Sequence, residues 1–422
     1  MAITYVKHAT PPDRDDNRDL SDQVALMLRV IETEGEDAVR RMAAQFDGWQ
    51  GDILLSDADR ARAIARVPDT VKADIRYAHD NIRRFAEAQR ASVTDCEIEL
   101  APGLMAGQKL IPVSAAGCYV PGGRYAHVAS ALMTITTAKV AGVPHITAAS
   151  PAKPGTGIPD AIVFTMDLAG ADAILALGGV QAVAAMAHGH FGLPGADILV
   201  GPGNQYVAEA KRQLFGPIGI DMVAGPTDSM ILADRNASPE TVAWDLVGQA
   251  EHGYNSPVWL VTNDTTLAQS VQALVPRLIE TLPPPNADSA RSAWANHGEI
   301  ILCATFEEMA RTADRYAPEH LHVQAEGLDW WLNRLRVYGS LFLGAETTVA
   351  FGDKCAGPNH VLPTSGAARY TGGLSVHKFL KTVTWQRATQ EGARPVAEAA
   401  ARISRLEGME GHARTADIRL RG

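Results

Sequence analysis

ADAILALGG (residues 171–179) and ADILVGPGN (residues 196–204) are the two segments that decide the fold class of this chain. Each is a short apolar run that ends in glycine and leads into a helical pattern, the first from Val180 and the second from Gln205. Short strands that alternate with helices in this way are typical of βαβ units, which build parallel sheets. The segment GCYVPGG (residues 117–123) begins the same series upstream.

A second α/β region follows, because apolar strand patterns return in SMILAD, PVWLVT and EIILCA between residues 229 and 304. The chain before both regions reads as helical, with an amphipathic helix from Leu20 to about Phe46. We therefore predict an α/β fold with two incomplete Rossmann-like domains and a small helical tail. The predicted parts are an N-terminal arm (1–19), a first Rossmann-like domain (20–118 and 228–371), a second Rossmann-like domain (119–227) and a C-terminal tail (372–422).

Composition narrows the class of protein. The formal net charge of −10 over 422 residues argues against a nucleic-acid binder, which normally carries a basic excess. No run of 18 apolar residues appears, and the N-terminus lacks the apolar core of a signal peptide, so we expect a cytoplasmic protein with a small-molecule substrate. The four cysteines form no CxxC pair and are expected to be free buried thiols.

Two segments contain candidate catalytic or metal-binding side chains. SPETVAWDLVGQAEHG (residues 238–253) predicts a helix with Gln249 and His252 three residues apart on one face, which by itself fits a surface pair or two metal ligands. YAPEHLHV (residues 316–323) places Glu319 beside His320, and these two groups could transfer protons at different working pKa values. In an extended strand the two side chains would point apart, so only an irregular turn would let them converge.

The glycine segments fit two interpretations. GCYVPGG and GPGN each follow an apolar strand and precede a helix, a context that suits a dinucleotide phosphate or ribose but also an ordinary tight turn. Neither matches GxGxxG. Asp353 and His360 lie in a glycine-rich loop region, and the tail residues Glu407 and His412 would by default be exposed.

In their order along nearly the whole chain, these segments resemble histidinol dehydrogenases. The matching motifs are YVPGG, AKVAGV, LALGGVQAVAAMAHG, GPGN, EAKRQLFGPIGIDM, AGPTD, QAEH, APEHLH, GPNHVLPT and GLSV. The resemblance implies an intertwined homodimer in which each C-terminal tail reaches the active site of the neighbouring subunit.

The resemblance also implies the roles of individual residues. One Zn²⁺ per subunit would be held by Gln249, His252, Asp353 and, from the tail of the partner subunit, His412. The proton-transfer pair would be Glu319 and His320. NAD would contact Tyr119, Gln181 and Asn204. Substrate would contact Thr227, His360 and, again from the tail, Glu407.

The implied reaction removes four electrons from a primary alcohol, through an aldehyde, to give a carboxylate, with two NAD molecules used in turn. His320 would accept the alcohol proton, and Glu319 would then activate the water that hydrates the aldehyde. Zinc would chiefly orient the substrate.

Several positions depart from the usual histidinol dehydrogenase pattern and favour an anionic substrate. Thr227-Asp228 replaces a serine-glutamate pair, Lys354 replaces a tyrosine, and His377-Lys378 replaces an acidic pair. The turn after YVPGG contains Arg124 and His127 where small apolar residues are usual. Added cations would not help to bind a cationic amino alcohol, whereas they would help to bind an anion.

These departures most resemble the sulfopropanediol dehydrogenase branch, whose members convert 2,3-dihydroxypropane-1-sulfonate to 3-sulfolactate. In that reading, some of Arg124, His127, Lys354 and Lys378 would receive the sulfonate. The sequence leaves open that these cations are solvated surface groups. It also leaves open that the substrate is histidinol or another small polyol or hydroxy acid, and that the scaffold only binds a metal or nucleotide, although an intact Glu319-His320 pair speaks against that last option.

Overall fold

Two parallel sheets form the framework of the protein in this computed structural model, which describes residues 3–10, 18–122, 127–223 and 225–421. The predicted α/β fold class with two Rossmann-like halves and a helical C-terminal part is confirmed. The strands, in chain order, are β1 (Thr4–Lys7), β2 (Cys96–Ala101), β3 (Leu104–Pro112), β4 (Ala115–Tyr119), β5 (His145–Ser150), β6 (Ala173–Ala176), β7 (Ile198–Val200), β8 (Gly219–Ile220), β9 (Ser229–Ala233), β10 (Val258–Thr262), β11 (Glu299–Leu302), β12 (His320–Gln324), β13 (Ser340–Leu343) and β14 (Leu380–Ala388).

Helices surround these sheets, and most of the longer ones connect consecutive parallel strands. In chain order they are α1 (Arg18–Glu34), α2 (Glu36–Met42), α3 (Asp57–Arg66), α4 (Asp69–Ala91), α5 (Val128–Ala131), α6 (Thr137–Ala141), α7 (Asp160–Ala169), α8 (Gly179–His188), α9 (Gln205–Leu214), α10 (Pro239–Ala250), α11 (Thr265–Ile279), α12 (Pro284–His297), α13 (Phe306–Tyr316), α14 (Leu328–Arg334), α15 (Val349–Lys354), α16 (Gln390–Leu406) and α17 (Glu410–Asp417).

The five-stranded sheet has the order β6-β5-β4-β7-β8, with every pair parallel. The chain enters at β4, builds outward to β6 and then returns to the other side of β4, so the strand order reverses between β4 and β7. In open sheets of this kind, ligands bind at that reversal, beyond the carboxyl ends of the strands. Gly201 lies there with a φ of +114°, and a Cβ atom at this position would be 2.1 Å from the Tyr119 carbonyl oxygen. Only glycine permits so close an approach of β4 and the chain after β7.

The six-stranded sheet repeats this arrangement in the order β1-β11-β10-β9-β12-β13. Its last five strands are parallel, and its strand order reverses between β9 and β12. Strand β1 lies antiparallel to β11 at the edge. Part of the predicted N-terminal arm is therefore a strand of the sheet.

The helices before β2 pack on the five-stranded sheet, which differs from the predicted grouping of residues 20–118 with 228–371. Helix α1 contacts α8 and α9, α3 contacts α7, and α4 contacts α6 and α7. The apolar faces of these helices share two hydrophobic cores with β4, β5 and α8. Their amphipathic pattern indicates a buried face but not which sheet covers it, so the sequence could not decide the grouping. The predicted limits of the other parts stay a prediction.

The predicted long first helix is interrupted. Helix α1 ends at Glu34, and Gly35, with a φ of +62°, separates it from α2. A π-helical turn, Ala43–Asp47, follows α2 and ends at Gly48 in the left-handed region. This turn brings Asp47 to the five-stranded sheet, where it contacts the start of α8.

The C-terminal part begins with a strand rather than a separate helical tail. Strand β14 pairs with β3, which pairs with β2, in an antiparallel three-stranded sheet. Helix α16 ends at Leu406 as predicted, and α17 follows it. All four cysteines are free, but Cys96 is exposed and Cys355 is half-buried, which corrects the expectation that all would be buried. No helix in the described parts of the chain is both long and apolar enough to cross a membrane.

Candidate active site

Glu319 and His320 converge at the amino-terminal end of β12. Ala317 adopts a left-handed φ of +55° after α13, and this irregular turn lets the chain enter β12 with both side chains on the same buried site. Oε2 of Glu319 lies 3.7 Å from Nδ1 of His320. The irregular turn that their convergence requires is therefore present.

Asp228, the residue before β9, fixes this pair. Its Oδ1 accepts a hydrogen bond from the Glu319 backbone N–H at 2.7 Å, and its Oδ2 accepts one from Ser365 N–H at 3.2 Å. In return the Asp228 N–H donates to Oε2 of Glu319 at 3.1 Å, and its carbonyl accepts from the His320 N–H at 3.2 Å. Asp228 thus holds both the backbone and the carboxylate of Glu319.

Burial and neighbouring charges shift both groups of the pair. Burial raises the pKa of Glu319, and the negative charges of Asp228 and Asp353 raise it further. Burial alone would lower the pKa of His320, but the carboxylates of Glu319 and Asp353 outweigh it and raise that pKa. Two proton-transfer groups with raised pKa values, side by side in a buried site, are suited to general acid–base chemistry.

Two of the predicted metal ligands, His252 and Asp353, lie together next to His320. One carboxylate oxygen of Asp353 lies 3.5 Å from Nε2 of His320, and the other lies 3.9 Å from Nε2 of His252. Gln249 is in the last turn of α10, and His252 follows just beyond the helix end rather than within it. Ser238 caps α10 as predicted, by accepting from the Thr241 N–H.

These residues fit a metal ion as an incomplete ligand set. Oε1 of Gln249 is a buried oxygen without a hydrogen-bond partner, so it is available to a cation. Donors that share a zinc ion at about 2.0–2.2 Å lie roughly 3–4 Å apart, which matches the spacing of His252 and Asp353. Within residues 3–10, 18–122, 127–223 and 225–421, no group of three or more His, Cys, Asp or Glu side chains is arranged to hold a metal. The candidate ligands of one chain are therefore His252, Asp353 and the amide oxygen of Gln249.

Lys354 lies beside the predicted ligands together with three imidazoles, those of His127, His252 and His360. This group is here called the cationic cluster, after its lysine. Lys354, at the end of α15, is close enough to His127, His252 and His360 to lower the pKa of each. No carboxylate lies within ion-pair distance of the Lys354 ammonium among the described residues. His360 is fixed by two hydrogen bonds: its Nδ1 donates to the Asp353 carbonyl at 2.8 Å, and its Nε2 pairs with the Ser130 hydroxyl at 3.1 Å.

The predicted sulfonate-binding cations differ in protonation, in exposure and in their hydrogen-bond partners. Burial, then the charges of Lys354, His360 and His252, lowers the pKa of His127 to about 4, so it is neutral at neutral pH. Lys354 is exposed and charged, whereas Lys378 donates to the Thr371 hydroxyl at 3.3 Å. Arg124 lies outside the described residues.

The remaining predicted substrate and metal residues divide between the site and the tail. Thr227 is half-buried next to Asp228 and adjoins the site through the chain. Glu407 and His412 are exposed, at the end of α16 and in α17. The structure does not bring these two tail residues together with the predicted ligands of the same chain.

A cavity of about 630 Å³ opens beyond the carboxyl ends of the strands in the five-stranded sheet, at the reversal of strand order. All three predicted NAD-contacting residues, Tyr119, Gln181 and Asn204, line it, and so does His127. The Tyr119 hydroxyl accepts from the N–H of Gly179, and the Asn204 side chain caps α9 by accepting from two backbone N–H groups. The volume lies within the usual range for small-molecule and cofactor sites. His127 therefore connects this cavity to the cationic cluster.

Asp245 in α10 is a site residue that sequence reasoning missed. Its Oδ1 accepts from the Thr348 hydroxyl at 2.8 Å, and its Oδ2 accepts from the Gln324 amide at 2.6 Å and lies 3.5 Å from Nδ1 of His322. Nε2 of His322 lies 2.8 Å from the Gly344 carbonyl oxygen. This network, here called the Asp245 network, connects α10, β12 and the start of α15. A single acidic residue in a helical pattern gives no signal of such a role.

Comparisons with known proteins show which family this chain resembles over its length. A family model described as histidinol dehydrogenase matches residues 11–420. Two proteins of Ruegeria pomeroyi are similar over the whole chain and 97% of their own lengths: a histidinol dehydrogenase homolog at 66% identity and a sulfopropanediol 3-dehydrogenase at 63% identity. The histidinol dehydrogenase of Elizabethkingia anophelis has a similar solved structure, with a TM-score of 0.91 and 32% identity over 98% of this chain and 94% of that one.

These matches bear out the predicted resemblance, and the fold is consistent with it. The protein belongs to the histidinol dehydrogenase family of NAD-dependent oxidoreductases.

Proposed function

We propose that this protein oxidises 2,3-dihydroxypropane-1-sulfonate to 3-sulfolactate, with zinc and two molecules of NAD. The observation that carries the proposal is the charge of Lys354, which lacks a carboxylate partner in the described part of the chain and adjoins the Glu319–His320 pair through His252 and His360. A cation so placed favours an anionic substrate through charge-assisted hydrogen bonds and disfavours a cationic amino alcohol. The name of the sulfopropanediol 3-dehydrogenase relative supports the same substrate.

The proton-transfer pair would act in sequence. His320 accepts the hydroxyl proton of the primary alcohol as the first hydride leaves its carbon, which gives an aldehyde. Glu319 then accepts a proton from water as the water oxygen bonds to the aldehyde carbon. Loss of the second hydride from the hydrate gives the carboxylate. Bound NAD supplies the hydride acceptor in each oxidation, so the balance is one alcohol, one water and two NAD converted to one carboxylate, two NADH and three protons.

Zinc would bind between Gln249, His252 and Asp353. Its chemistry would be to orient two substrate oxygens and to polarise the reacting one. The partnerless Oε1 of Gln249 supports this assignment. The fourth ligand would be His412 of the partner subunit, as the family resemblance implies; His412 is exposed in α17 of its own chain.

Exchange of tails between two subunits would supply that ligand, with Glu407 of the partner subunit as a substrate contact. The C-terminal helices support this proposal because they leave large apolar side chains in water. Leu406 is 88% exposed, and Ile403, Met409 and Ile418 are exposed nearby. A cluster of exposed apolar side chains is typical of a protein–protein interface.

NAD would bind in the cavity at the carboxyl ends of the five-stranded sheet. Tyr119, Gln181 and Asn204 line that cavity, and His127 places one end of it beside the cationic cluster. The reacting ring of NAD would therefore lie toward His127, where it can approach a substrate held next to His320.

The test is turnover by purified, zinc-loaded protein with NAD and each candidate alcohol. We expect two NADH per molecule of the sulfonate diol and 3-sulfolactate as the product. Turnover of histidinol with none of the sulfonate diol would overturn the substrate assignment but keep the chemistry. NADH formation only with another small polyol or hydroxy acid would move the assignment to that class. No NADH across the whole panel, with zinc bound, would support a non-catalytic binding protein instead.

A further inference from the structure

We propose that Asp47 binds the adenosine ribose of the dinucleotide and thereby selects NAD over NADP. This inference rests on the proposed binding of NAD in the cavity. In Rossmann-type sheets, an acidic side chain near the end of the strand beside the central one accepts hydrogen bonds from the ribose hydroxyls. In this sheet that strand is β5, and its end at Ser150 and Pro151 carries no acidic residue.

Asp47 reaches that position from a different part of the chain. It lines the cavity together with Pro151 and Gly178. A Cβ atom on Gly178 would lie 2.8 Å from Cβ of Pro151 and 3.0 Å from Oδ1 of Asp47, so the three residues are in direct contact. The π-helical turn Ala43–Asp47 therefore supplies a carboxylate where β5 lacks one.

The hydrogen bonds of Asp47 leave one carboxylate oxygen for a ligand. Oδ2 accepts from the Gly178 N–H at 3.2 Å and from the Gln181 amide at 2.9 Å. An ionised carboxylate has about four acceptor sites, so Oδ1 keeps acceptor capacity within the described surroundings. The two bonds on Oδ2 hold the group in one orientation, which reduces the entropy lost on binding.

The neighbours of the cavity indicate the direction of the dinucleotide. His127 lies at the cationic cluster beside the proton-transfer pair, so the reacting ring belongs at that end. The Asp47 end would then receive the adenosine half. Ribose hydroxyls can donate to a carboxylate, whereas the 2′-phosphate of NADP carries negative charge and only acceptors, so it would be repelled.

The test measures binding without turnover, by titrating the zinc-loaded protein with NADH and with NADPH and following nucleotide fluorescence. We expect the unmodified protein to prefer NADH. Asp47→Asn keeps the size of the side chain but loses the charge, so NADH affinity should fall about 10- to 100-fold, the effect of one hydrogen bond to a charged group. The affinity for NADPH should fall less than that for NADH, or should rise. The affinities for the two nucleotides should then lie within a few-fold of each other.

Asp52→Asn is the matched control, since it removes the same charge from an exposed position five residues away and should leave both affinities unchanged. Asp47→Ser provides a second variant if the first unfolds, and the far-ultraviolet circular dichroism spectrum checks the fold of each. Unchanged NADH affinity and preference in a folded Asp47 variant would overturn the inference while the proposed function stands. If the unmodified protein binds neither nucleotide, the proposed function fails as well.

Discussion

Replacing Asp228 with asparagine should weaken the fold and shift the pH dependence of activity in separately measurable ways. Both carboxylate oxygens of Asp228 accept backbone hydrogen bonds, from the N–H groups of Glu319 and Ser365. Asparagine has one oxygen and one amide nitrogen in the same positions. If its oxygen keeps the shorter bond to Glu319, its NH₂ group must face the N–H of Ser365, and two donors then oppose each other.

The magnitude follows from that geometry. A buried donor left without an acceptor costs about 1–3 kcal/mol, so we expect a loss of this size in the free energy of unfolding. Burial already raises the pKa of Asp228, so removing its charge also relieves some desolvation and keeps the loss near the lower end. The carboxylate also raises the pKa of Glu319. Without it, the pH below which Glu319 becomes protonated should fall by about one pH unit.

The assay combines unfolding in urea with the pH profile of kcat/KM for the alcohol. Glu319 and His320 must both be deprotonated to accept protons, so kcat/KM should fall as the pH drops through their pKa values. In Asp228→Asn that decline should begin at lower pH, even though the variant is less stable. A merely unfolded fraction would lower activity at every pH without moving the profile.

Asp234→Asn is the matched control. Asp234 is also buried and accepts two backbone hydrogen bonds, from Asn236 and Glu326, but it follows β9, whereas Asp228 precedes it. Six residues of strand place the two roughly 20 Å apart. The control should lose comparable stability with no shift of the profile. A profile that stays in place in Asp228→Asn, or that moves equally in both variants, would refute the reasoning.

Three further predictions follow from the site. Lys354→Gln should raise the KM for the sulfonate diol about 10- to 100-fold, whereas Lys378→Gln should change it little; equal effects of the two in steady-state kinetics would contradict the role of the cationic cluster. His252→Ala should lower the zinc content measured by atomic absorption, and chelated enzyme should regain turnover when zinc is added; full activity without bound metal would exclude the metal role. Mixing inactive His412→Ala and Glu319→Gln proteins under conditions that allow subunit exchange should restore turnover, because one of the two sites then has every residue intact, and no recovery in confirmed heterodimers would argue against tail exchange.

The fold class could be predicted because its evidence is local. Strands β4, β6 and β7 are short apolar runs that glycine follows within a few residues, and that pattern depends only on neighbouring residues. The placement of α1 to α4 could not be predicted in the same way. Their amphipathic faces would suit either sheet, so only packing decides.

The sequence predicts which residues form the candidate site but not the geometry that brings them together. Glu319 and His320 stood out as an adjacent acid and base, yet their convergence depends on the left-handed conformation of Ala317, which no pattern requires of alanine. Asp47 and Asp245 were missed because each is a single acidic residue in a helical segment. Asp47 contacts Gln181, which is more than a hundred positions away. Asp245 contacts Gln324, which is about eighty positions away.

The Asp245 network has a consequence for how the enzyme would lose and regain its metal. It connects α10, β12 and α15 through hydrogen bonds that involve none of the predicted ligands. The entropy cost of ordering α10, β12 and α15 therefore falls on the folding of the chain and not on the binding of zinc. Removal of the metal should leave the binding geometry in place, and the apoprotein would be a reversible resting form instead of a partly unfolded one.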